Sequence, residues 1–187
     1  MKAFWTWVKA NRHRLVAGAE ESAIDELAAK LQEVEPALTI QLTADGKSTP
    51  RLAIGCNGDE DLIPAVKRLV ESAGTIEGLK VVAFGQRLSP KTLEIDVDGF
   101  QLKATEMRFR LADEPSHFDR LALTVFIKAP RVTEELAEAS MIIVEAVLGE
   151  FELMTGIGSV EVEPLPAKRN DLLPLDALAA TFDGWDR

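Results

Sequence analysis

Two short segments place carboxylates at the alternate spacing that calcium-binding loops use. In Asn57-Gly-Asp59-Glu-Asp61 the sixth position, where such a loop turns on a glycine, is Leu62, and the twelfth is Arg68 in place of the bidentate glutamate. Glu94-x-Asp96-x-Asp98-Gly99 has its glycine but ends on Thr105, and a hairpin explains the same residues. Ser116-His117 beside Asp113 and Glu114 could be drawn as an acid–base set, yet nothing in the spacing orients the imidazole. Cys56 continues the alternation of Leu52 and Ile54, which makes it a small core residue. Gly156-Ile-Gly158 follows a helical pattern where a dinucleotide fingerprint would follow a strand, so it is read as a flexible turn. No catalytic residue, cofactor or metal site is therefore expected.

The elements around these residues follow from periodicity. A helix is predicted over 3–15, with Phe4, Trp7, Val8, Asn11 and Leu15 on one stripe and Gly18 as its terminator. A second runs over about 22–34, where Ser22 and Asp25 resemble a capping box and Pro36 ends it. The period then becomes two. Leu38, Ile40 and Leu42 alternate with polar residues, Asp45-Gly46 marks a turn, and Leu52, Ile54 and Cys56 alternate again. A helix over about 62–73, with Asp61 as its cap, and a strand over 79–85 complete the set.

The pattern then recurs. An Asp98-Gly99 turn pairs Val97 with Phe100 and Ile95 with Leu102. Strands at 107–111 and 121–127, a helix over about 133–149 and a strand at Val160 and Val162 follow. The tail, 164–187, reads as a strap with a short apolar helix. These elements specify an α+β fold: an N-terminal helix pair, then two ββαβ units forming largely antiparallel sheet with helices on one face. The chain is read as a single domain, 1–187, in which 38–85 and 106–163 hint at internal duplication.

Charge narrows the function classes. The 187 residues carry 21 basic and 31 acidic side chains, a formal net charge of −10, which argues against a nucleic-acid partner. The charge is unevenly placed. Residues 1–14 hold Lys2, Lys9, Arg12 and Arg14 and no acid, whereas 132–167 hold eight glutamates and no lysine or arginine. On the 133–149 helix, Glu134, Glu138 and Glu145 fall within about 40° of one another, opposite Leu136, Ile143 and Val147. This ridge is a candidate surface for a basic protein partner or for the chain's own first helix. The longest apolar runs are far too short to span a bilayer, no secretory leader is recognised, and no membrane attachment is expected, so a cytoplasmic location follows.

Phe4-Trp5-Thr6-Trp7-Val8-Lys9-Ala10-Asn11 resembles the opening of a bacterial family of uncharacterised proteins that start near FWxWFxxN. The likeness continues through Leu38–Cys56, Leu69-Val-Glu-Ser-Ala73 and Lys80–Phe84, and Leu148-Gly-Glu150 is similar to that family's helix end. Val8 stands in place of the usual Phe, Gly74 of the Pro and Leu79 of the Trp. The resemblance implies one domain over most of 3–163 and lends no activity.

The leading expectation is a non-enzymatic interaction or regulatory module. It would act through Glu134, Glu138 and Glu145, through the N-terminal docking motif Phe4, Trp5, Trp7 and Asn11, or by self-association. The alternative is an enzyme or small-ligand-binding protein whose site is assembled only in three dimensions.

Overall fold

The computed structural model describes residues 1–16, 20–43, 49–117, 119–169 and 171–185. The expected terminator Gly18 and the turn at Asp45-Gly46 lie outside the described residues. The chain divides into two compact units, Met1–Gly85 and Gln86–Arg187, and the boundary falls between the two expected ββαβ sets.

In the first unit, α1 (Lys2–Val16) and α2 (Glu21–Gln32) precede β1 (Thr39–Thr43), β2 (Arg51–Gly55), α3 (Ile63–Glu71) and β3 (Lys80–Ala83). β1 and β2 are antiparallel, with Ile40 opposite Ile54 and Leu42 opposite Leu52. β3 joins β2 in parallel, so Val81 and Ala83 extend the same rows. A parallel partner cannot follow through a tight turn, and α3 supplies the crossover. Its stripe, Val66 and Leu69, is fully buried.

Two helix starts differ from expectation. The capping box of α2 does not form: Glu20 occupies the cap position without a side-chain capping bond, and Ser22 Oγ instead accepts from Arg14 at 3.2 Å. Arg14 also pairs with Glu20 and Glu26, both at 3.0 Å, so a cation on α1 ties down the start of α2. Before α3, Asp59 caps a 3-10 turn by accepting from Asp61 N at 3.0 Å, which shifts the cap two residues upstream of Asp61.

The second unit opens with the hairpin β4 (Glu94–Val97) and β5 (Phe100–Lys103), whose register matches the expected pairs Val97–Phe100 and Ile95–Leu102. Asp98 and Gly99 both have positive φ, 51° and 83°, as a two-residue hairpin turn of this twist requires. Then come β6 (Arg108–Asp113), β7 (Leu121–Ile127), α4 (Glu134–Leu148), α5 (Glu150–Gly156), β8 (Ile157–Pro164), β9 (Leu173–Pro174) and α6 (Leu178–Asp183). The sheet order is β8-β7-β6-β9, with β6 and β7 antiparallel and β7 and β8 parallel. The hairpin, crossover helix and parallel third strand therefore repeat in both units.

The second core lies between β6, β7 and α4. Phe109, Val125 and Val144 are wholly inaccessible, each contributing about 1.5–3 kcal/mol by burial. The strap closes this core: β9 pairs with Arg108 and Phe109, and Leu175, Leu178 and Phe182 are buried in it. α5 is the element that the periodicity does not announce. Gly156 ends it and β8 begins at once, so Gly156-Ile-Gly158 is a helix-to-strand junction and not a flexible turn.

Trp5 binds α1 to α3. Its indole N–H donates to Leu69 O at 2.9 Å and to Ser72 Oγ at 3.0 Å. Trp5→Phe removes both bonds from a buried contact and should cost about 1–3 kcal/mol. Urea unfolding of the two proteins, read at their midpoints, checks this.

Candidate functional site

The first unit contains a cavity of about 620 Å³, lined from three separate stretches of chain: the start of α1, the end of α2 with the turn after it, and the middle of α3. Phe4 and Leu69 form its apolar floor together with Val34 and Leu38. Trp7 is half-buried on one wall. Four charged residues complete the lining: Lys30, Glu33, Glu35 and Arg68. Lys30 Nζ meets Glu33 Oε1 at 2.6 Å, one helical turn apart. Arg68 and Glu35 have no side-chain partner among the described residues. Among the described residues the lining includes no serine, threonine, cysteine or histidine, so it offers no hydroxyl or thiol nucleophile and no imidazole base, and its one lysine amine is paired with Glu33.

The motif Phe4, Trp5, Trp7 and Asn11 divides by role. Phe4 and Trp5 are buried and meet edge to face, with ring centroids 4.7 Å apart and planes at 69°. Asn11 Nδ2 donates to Trp7 O at 2.9 Å within its own helix. Trp7 and Asn11 are both partly exposed, and of these two only Trp7 lines the cavity, above the buried Phe4. The buried stripe of α1 is thus turned toward Trp5, and Trp7 lies at its edge.

In the second unit, Glu134 and Glu138 lie on the exposed face of α4, with Ile142 exposed beside them. Glu145 differs from them. Its side chain reaches water, but protein packed around the carboxyl, and then the charge of Glu150, push its pKa up. The ridge is therefore solvated at one end and electrostatically crowded at the other.

The serine–histidine segment is wired in the wrong order for a triad. Glu114 accepts from Ser116 Oγ at 2.8 Å and from Ser116 N at 3.3 Å, and Ser116 Oγ lies 3.1 Å from His117 Nδ1. The carboxylate thus holds the hydroxyl rather than the imidazole, which a general base would need oriented. Glu114 also accepts from Ser159 Oγ on β8. A Cβ on Gly158 would stand 2.8 Å from Glu114 Cγ, so the glycine makes room for this crossing. The two calcium-like segments are likewise occupied by turns: Asp59 bonds Asp61 N, and Asp96 accepts from Gly99 N at 2.9 Å and from Gln101.

No family model, curated protein or solved structure matches the chain. Of the cavity lining, the docking motif read from the sequence contains Phe4 and Trp7; Lys30, Glu35 and Arg68 carry no signal within their own segments. Their shared cavity exists only once the three helices are assembled.

Two pH effects follow. The hydrogen bonds from Ser159 and Ser116 hold the Glu114 carboxyl below its ordinary value of 4.5. A depressed carboxyl stabilises the fold above that value and loses the contribution as pH falls through the folded-state pKa. Glu114→Gln should therefore lose less stability than wild type between pH 5 and about 2, measured as melting temperature against pH. Glu145 has the opposite sign. A raised carboxyl favours folding below 4.5 and loses that contribution as pH rises through its folded-state pKa. Glu145→Gln should raise the melting temperature at neutral pH, with the gain vanishing in acid.

Proposed function

We propose that the chain is a non-enzymatic interaction module that receives a segment of a protein partner in the groove of its first unit. The carrying observation is the half-buried Trp7 over an apolar floor, in a cavity whose described lining holds no hydroxyl, thiol or imidazole side chain. Tryptophan is among the side chains on which protein interfaces most often concentrate their binding energy. The acidic face of α4, at Glu134 and Glu138, supplies a second surface suited to a basic partner. Among the described residues no helix is long and apolar enough to cross a membrane.

A second reading, a small-ligand-binding protein, is favoured by the cavity volume, which falls within the ~300–1,000 Å³ of small-molecule pockets. The mixed charge of the rim and its open setting between helix surfaces support the protein partner over it.

The test is affinity capture with the wild-type chain, Trp7→Ala and a Glu134→Gln/Glu138→Gln double variant, each at about 0.05 M and 0.5 M salt. A partner bound through the groove is lost with Trp7→Ala at both salt concentrations. A partner held by the acidic face is lost with the double variant and in high salt. Wild-type and variant captures that are identical throughout would overturn the reading.

A further inference from the structure

We infer that the occupant of the groove is an amphipathic helix whose apolar stripe is flanked by an acidic residue on one side and a basic residue on the other. The inference rests on the docking reading above and names the chemistry of the partner.

The charges at the rim select against single-sign ligands. Lys30 and Glu33 neutralise each other at 2.6 Å. Arg68 and Glu35 are left, opposite in sign and without side-chain partners among the described residues. An anionic ligand such as a fatty acid would satisfy Arg68 but leave Glu35 without a counter-charge. A cationic ligand would do the reverse. Covering the cavity desolvates both groups, and a charge covered without a counter-charge is strongly disfavoured. Only an occupant carrying both signs matches the rim.

The walls select the backbone form. Every lining residue belongs to α1, α2 or α3, or lies beside them; none belongs to a strand, and Leu38 stops one residue short of β1. No strand edge is offered to an extended peptide, so strand addition is not available here. A groove between helix surfaces with an apolar floor takes side chains projected at i, i+3, i+4 and i+7, the spacing of one helix face. Trp7 provides the aromatic contact for such an anchor, and Phe4 beneath it is fixed by its packing on Trp5.

The experiment pans a display library of random peptides, about 18 residues long so that they can form helix on binding, against the full chain. Enriched peptides are then measured by fluorescence anisotropy on wild type, Trp7→Ala, Arg68→Glu and Glu35→Lys, each variant first checked by thermal melting. Expected are peptides with helical apolar spacing and both charge signs. They should weaken about tenfold or more on Arg68→Glu and on Glu35→Lys. Changing the peptide's acidic residue to lysine should restore binding to Arg68→Glu, which a misfolded variant could not show. Enriched peptides that need Trp7 but bind both charge variants as tightly as wild type overturn the two-sign helix while leaving the docking reading intact. Enriched peptides without helical spacing do the same. Enrichment that is equal on wild type and Trp7→Ala overturns both.

Discussion

The indole N–H of Trp5 leaves its own helix and reaches the last turn of α3, where it finds Leu69 O and Ser72 Oγ. A buried indole without an acceptor would be costly, so this contact fixes where α1 lies along α3. The consequences accumulate along α1. With Trp5 turned inward, Phe4 and Val8 follow into the core and Trp7 is placed at the margin of the buried stripe. The groove is thus a by-product of the anchoring: the same helix rotation that buries one tryptophan leaves the other half-covered beside an apolar floor. Two of the three aromatic side chains of α1, Phe4 and Trp5, go into packing.

The two units solve one topological problem in the same way. β2 and β7 each pair antiparallel with the strand before them and parallel with the strand after an intervening helix. The parallel edge demands a crossover, and in the second unit the stretch between β7 and β8 is long enough to contain two helices. The charge pattern fits that arrangement. α4 turns Leu136, Ile143 and Val147 to the core and Glu134 and Glu138 to water, so its strongly acidic outer face is the counterpart of a strongly apolar inner one.

Much of the fold was legible because its signals are local. The Asp98-Gly99 turn, the alternation of β6 and β7, and the stripe of α4 each need only a few adjacent residues to declare themselves. α5 was not legible: at seven residues it is too short for a period to show, and Gly149 before it looks like an ending. The cap of α2 was misread because Arg14, eight residues away, took Ser22 Oγ and pairs with two of the nearby glutamates. The groove was legible only at Phe4 and Trp7. Whether Arg68 or Glu35 finds a partner depends on how three helices meet, and no spacing within one helix carries that information.

Arg87 shows what the strap implies for the order of assembly. Its guanidinium forms a two-pronged pair with Asp183 at 2.7 and 2.8 Å, and its Nε donates to Leu148 O at 2.8 Å. Asp183 stands 96 residues further along the chain. Contacts that distant pay their loop-closure entropy before they return any stabilisation. The hairpin of β6 and β7 and the α4 crossover can form first from nearer contacts, and the tail is then the latch that shuts on a body already built. During synthesis Asp183 emerges after β6, β7 and α4, so the second unit stays unlatched until the strap has emerged as well.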